Sequence, residues 1–250
     1  MVEHWGWRTG FGLLAGLSLL SWLLIYAVVH EPADTEAHHR PASSWSDALA
    51  GMGRLFTLPH TWGIVILGMS CYAAFLSLRG LWLGPLLIHR HGFSLVDSGN
   101  VALVLSLIAL FTPAVFGSLD PGAARRRVWV SRASLLMAGL FATMALVNNA
   151  TATVVLMVVT GLLSGYSILQ YADVRSSYPA ELTGRALSLY TMAMFLGVAF
   201  MQSLTGAVAA WAASAGLELY RAVLLTIAAW LSLASLAFRL LPVSPLLQQR

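Results

Sequence analysis

Arg79 is the residue with the strongest chemical implication, because it stands in the apolar run Phe75-Leu-Ser-Leu-Arg79-Gly-Leu-Trp82-Leu-Gly84-Pro85. A charge at the centre of a bilayer costs roughly 2.5–3.5 kcal/mol on insertion scales, so it must meet a cavity, a partner or the interface. Helical spacing puts Tyr72, Phe75, Arg79 and Trp82 on one face. A guanidinium among aromatic rings suits an anionic or carboxylate-bearing solute. Gly80, Gly84 and Pro85 weaken the helix just beyond it and free backbone groups to line a wet site. A second reading stays open. Counted from Thr61, Arg79 lies about 27 Å along the helix, within reach of the outer interface, with Trp82 as an aromatic anchor.

Further polar candidates lie on later apolar runs. Thr191 and Gln202 share a face with Val198 between them, and Tyr166, Gln170 and Asp173 form another stripe. Such residues either line a pathway or hydrogen-bond neighbouring helices. Asn100 reads as interhelical glue or a cap. Asp173 is paired in sequence with Arg175 as a gate or as an exposed ion pair. Asp97 and Asp173 sit at the ends of their runs, and no acidic residue or His lies at mid-depth, so a proton-coupling group is not expected within these helices.

The elements that position these residues are seven apolar runs, each long enough for the roughly 20 residues of a membrane crossing. They cover Thr9–His30, Thr61–Ile88, Ser98–Leu119, Val128–Val147, Ala152–Ala172, Ala186–Trp211 and Leu219–Leu241. With 58% hydrophobic and 10% charged residues, the chain is an all-α polytopic membrane protein, not a soluble domain. The first run is followed by a polar linker, 31–60, in which Trp45, Leu49, Met52 and Phe56 recur at helical spacing. This predicts a short amphipathic helix on the inner membrane surface, with Ser46 and Asp47 as caps and Pro59 as a stop. Gly12/Gly16 and Gly161/Gly165 are small-residue pairs expected to form packing seams.

All fourteen basic residues are arginine. Placing the linker in the cytoplasm puts ten of them inside, including Arg125, Arg126, Arg127, Arg175 and Arg185, and leaves only Arg8, Arg90 and Arg221 outside. The positive-inside bias therefore predicts an outer N-terminus and a cytoplasmic C-terminus in the cell inner membrane. No nucleic-acid role follows from this charge. Cys71 stands alone, and His38-His39 and His89-Arg-His91 lack acidic or Cys partners at ligand spacing, so no metal, cofactor or disulfide is expected. No nucleophile–base motif, P-loop or dinucleotide fingerprint occurs, which argues against an enzyme.

Three segments resemble one family, the major facilitator superfamily of transporters. Gly6-Trp-Arg8 before an inward-running span resembles the start of the family's sixth helix. Gly117-Ser-Leu-Asp120-Pro-Gly-Ala-Ala-Arg125-Arg126-Arg127 is similar to its signature loop of glycine, aspartate and paired basic residues. The glycine–aspartate spacing is one residue short, and the intervening Arg and Gly are displaced. Tyr178-Pro-Ala-Glu-Leu-Thr-Gly184-Arg185-Ala186 resembles the cytoplasmic loop before the eleventh helix. The resemblance implies the sixth helix, residues 1–30, then a cytoplasmic linker, 31–60. A C-terminal six-helix bundle with a 3+3 inverted repeat follows at 61–241, with a cytoplasmic tail at 242–250. It also implies secondary transport of a small solute by alternating access, with Asp120, Arg125, Arg126 and Arg127 in a gating loop. The partner would be an N-terminal six-helix half, which makes this chain part of a longer carrier, or a second copy in a homodimer. A membrane subunit or sensor descended from a carrier is the alternative.

Overall fold

The computed structural model describes residues 2–28 and 45–248, with side chains described for 8–28 and 50–247. These divide into two compact units, Met1–Ser44 and Trp45–Arg250. In the first, α1 spans Val2–Val28. Its apolar side chains, among them Phe11, Leu14, Leu20, Trp22 and Ile25, are exposed around the helix. Ser18 and Ser21 return their hydroxyls to Leu14 O and Leu17 O, each at 2.9 Å, so neither leaves a bare polar group on that apolar surface. A helix apolar on every side requires lipid or another helix around it.

The second unit opens with α2, Trp45–Phe56, followed by α3 (Pro59–Arg90), α4 (Leu95–Ser118) and α5 (Ala123–Leu146). Then come α6 (Ala150–Ser177), α7 (Ala180–Ser214), α8 (Leu219–Leu240) and the short α9 (Pro245–Gln248). Seven of the described helices are long and apolar enough to cross a membrane, matching the seven apolar runs. The helices outlast the runs: α3 continues to Arg90, α6 to Ser177, and α7 starts at Ala180. A side-chain cap starts α6, where Asn149 Oδ1 accepts the Ala152 N–H at 2.9 Å, whereas α7 begins behind Pro179 without one.

Helices α3, α5, α7 and α8 carry most of the core, including Leu67, Met137, Phe141, Tyr190 and Leu231. Lipid tails are as apolar as leucine, so close packing and interhelical hydrogen bonds must hold the bundle. A Cβ at Gly197 would strike the backbone of Met69, and one at Gly165 the backbone of Thr112. Those two contacts fix how closely α7 approaches α3 and α6 approaches α4. The expected Gly161/Gly165 seam forms, with Gly161 against Leu105; a Cβ at Gly12 or Gly16 meets nothing. Ser131 and Ser235 share a 2.8 Å hydrogen bond between α5 and α8, and Cys71, Ser134 and Tyr166 link α3, α5 and α6. Leu103, Leu110, Phe111, Leu136, Phe195 and Leu233 form an exposed apolar surface suited to lipid.

The linker helix forms as expected, but Pro59 opens α3 as its first residue rather than only ending α2. Leu55 is fully buried, while Phe56 tilts against Trp62 with ring centroids 5.3 Å apart. The side chains of Trp45, Ser46, Asp47 and Leu49 lie outside those described, as does the His38-His39 pair.

Candidate functional site

Around Arg79 the helix departs from regular α geometry. Residues Leu78–Trp82 and Leu86–Arg90 form π turns on either side of Leu83–Pro85. Pro85 has no N–H, and a wider turn absorbs the mismatch. The wider turn also changes which residues share a face. Arg79 points to α4, where its Nε and Nη2 donate to Ser106 Oγ at 3.1 and 2.7 Å. Trp82 instead donates from Nε1 to Thr205 Oγ1 on α7 at 3.0 Å and packs edge-on against Tyr220. On the face expected to hold Tyr72, Phe75, Arg79 and Trp82 together, the π turn thus separates Trp82 from Arg79. Tyr72 meets Phe195 edge-on at 6.0 Å.

Ser106 is fully used. Its proton goes to Ala102 O at 2.6 Å, and its lone pairs take the two Arg79 donors. Arg79 makes no ion pair among the described residues, and its Nη1 has no hydrogen-bond partner there. Because α3 runs on to Arg90, Arg79 stands eleven residues, about 17 Å, inside that end of the helix. A cation within a candidate membrane span, held only by a neutral hydroxyl, keeps its charge available.

The Tyr166–Gln170–Asp173 stripe faces inward, with all three side chains buried. Tyr190 Oη donates to Gln170 Oε1, while Gln170 Nε2 and Asp173 Oδ1 find no partner. Gln170, Asp173, Tyr190 and Phe238 border a cavity of about 10 Å³, the threshold for one water. Thr191 and Gln202 are partly buried on α7, whereas Asn100 is exposed.

The basic loop residues separate sharply. Arg126 is 8% exposed and grips Asp120 with two bonds, Nε to Oδ1 at 2.9 Å and Nη2 to Oδ2 at 2.6 Å. Its Nη1 donates to Ala172 O and Ser176 Oγ at 3.0 and 2.9 Å, tying the start of α5 to α6. The Arg126 guanidinium holds the Asp120 carboxyl below its ordinary value, against a weaker upward push from burial. Arg127 turns away to α8, donating to Phe238 O at 2.5 Å with its guanidinium carbon 3.9 Å from the ring centroid. Arg125 and Arg175 are exposed. Asp173 and Arg175 form no ion pair, because residues two apart on a helix point in different directions.

At the other end of the bundle, Arg90 caps α5, donating to Met144 O and Ala145 O at 3.3 Å and to Asn148 Oδ1 at 2.7 Å. It lies 3.7 Å from Glu218, whose other oxygen caps α8 through the Arg221 N–H. Sequence reasoning placed Arg90 at the outer end without finding this cluster or Ser106. Its only local signal is that Arg90, Asn148 and Glu218 all fall in short connections on one side. Among the described residues, no group of three or more His, Cys, Asp or Glu side chains gathers as for a metal.

The sequence profile of the Major Facilitator Superfamily matches residues 1–201. The chain therefore belongs to that family and is a multi-pass membrane protein. It is similar in fold to the crystal structure of a bacterial homologue of the human lysosomal transporter Spinster, in an inward-facing and unoccupied conformation. The TM-score is 0.56 at 16% identity, over 94% of this chain and 60% of that one, so the chain spans about three fifths of that transporter's length. No curated protein matches the sequence.

Proposed function

We propose that this chain supplies the sixth helix and the C-terminal six-helix half of a carrier that moves a small anionic solute by alternating access. The observation that carries this reading is the Arg79 guanidinium, which lies in a candidate membrane span and is held by one neutral serine. Family membership and the partial coverage of the Spinster-like transporter support it. So does the exposed apolar surface of α1, which suits the last helix of a first half. Residues 31–60 then form the connection between halves, and 61–241 the bundle.

In this reading Arg79 contacts solute. Tyr72, Thr191 and Gln202 are further wall candidates, Trp82 fixes α3 against α7, and Gln170 sets the inner floor with Tyr190. The Asp120–Arg126 clasp, with Asp173 buried nearby, acts as the latch at the end that arginine sidedness assigns to the cytoplasm. Arg125 and Arg175 serve that sidedness rather than the latch. The protein needs no cofactor and performs no covalent chemistry. The partner half is a six-helix N-terminal bundle, or a second copy of this chain.

The test is transport in vesicles containing the product of the complete reading frame. Labelled organic anions should be taken up by the wild type and at least tenfold more slowly by Arg79→Ala. Transport unchanged in the variant would return Arg79 to an interfacial role. Absence of transport for any solute would favour a non-transporting subunit.

A further inference from the structure

A cavity of about 330 Å³ opens beside the start of α5 and the end of α8, lined among others by Ala123, Ala124, Arg127, Val128, Phe238 and Arg239. It is separate from Arg79 and from the Asp120 clasp. Three features of it point to an anion: an unpartnered Arg127 nitrogen, an unpaired Arg239 and the start of α5. Arg127 Nη1 is buried and has no hydrogen-bond partner, although the same guanidinium is anchored by Phe238. Asp173 offsets part of the Arg127 charge from the protein side without forming an ion pair with it. Arg239 makes no hydrogen bond or ion pair among the described residues. The first turn of the 24-residue helix α5 has no side-chain cap, which leaves the positive end of its dipole toward Ala123 and Ala124.

The surroundings identify which anion. Val128 in the lining, and Trp129, Leu236 and Leu240 near lining residues in sequence, are 41%, 43%, 48% and 85% exposed, as befits a surface facing acyl chains. A charged head bounded by apolar surface is the form of a phospholipid. The geometry points to a binding site for an anionic phospholipid headgroup, its phosphate held by Arg127, Arg239 and the α5 N-terminus. Basic pockets between helices near the membrane surface take anionic headgroups, and each arginine there contributes about fivefold in affinity. This site pins α5 to α8 from the lipid side and does not depend on what the carrier transports.

Native mass spectrometry of the purified chain in uncharged detergent tests it, with equal phosphatidylglycerol and phosphatidylethanolamine supplied. The wild type should retain phosphatidylglycerol in preference. Arg239→Gln, an exposed position with no fold contacts to lose, should weaken retention about fivefold, and Arg127→Gln at least as much. Arg221→Gln, at the opposite end, should retain lipid as the wild type does. Equal retention of the two lipids, or full retention by Arg239→Gln, would overturn the assignment. Binding of inorganic phosphate alone as tightly as phosphatidylglycerol would also overturn it in favour of a free-anion site.

Discussion

The two ends of the bundle are closed by arginines of different character. At one end Arg126 is buried and makes two short bonds to Asp120 plus two more to α6. At the other, Arg90 stands 3.7 Å from a Glu218 side chain that is 43% exposed, and otherwise meets neutral carbonyls. Charge-assisted bidentate geometry gives a stiff, directional clasp, whereas a single long contact to an exposed carboxylate contributes little. The difference teaches that loop charge alone does not identify a clasp. The number and geometry of the carboxylate bonds do, since both arginine side chains are equally buried at 9% exposure.

The largest effect should come from Arg126→Ala, which removes four bonds and leaves Asp120 without its cation. A loss of about 2–3 kcal/mol is expected in detergent unfolding. Asp120→Asn keeps the shape and should cost less, about 1–2 kcal/mol. It should also change the pH profile. Because the folded carboxyl sits below its unfolded value, its contribution is complete above about pH 4 and is lost as pH falls through the folded value. The wild type should therefore lose stability below about pH 4, and Asp120→Asn should lose less over that range. Glu218→Gln retains an oxygen for the α8 cap and should cost under about 1 kcal/mol. If Glu218→Gln destabilises more than Arg126→Ala, the contrast between the ends is wrong.

Much of this fold was legible because a membrane crossing demands a long apolar run, and such runs are visible without knowing any neighbour. The helix ends were less so, since α7 begins at Ala180 behind Pro179, well before the apolar run at Ala186. The Asp120–Arg126 pair lay within a recognisable loop, yet its selection of Arg126 over Arg125 and Arg127 depends on α6 and α8. Arg79 stood out as a charge in an apolar run. Its partner Ser106 did not, because a serine on a neighbouring helix looks like any other. The π turn that separates Trp82 from Arg79 depends on how α3 packs, and a regular 3.6-residue period conceals it.

The central claim is that Arg79 faces the transported solute. Its most direct test is the concentration dependence of organic-anion uptake in vesicles carrying the complete product, comparing wild type, Arg79→Lys and Arg79→Ala. A solute contact predicts that KM rises at least tenfold in Arg79→Ala, with partial recovery in Arg79→Lys, where charge returns without the planar fork. Identical uptake curves for all three proteins would contradict it.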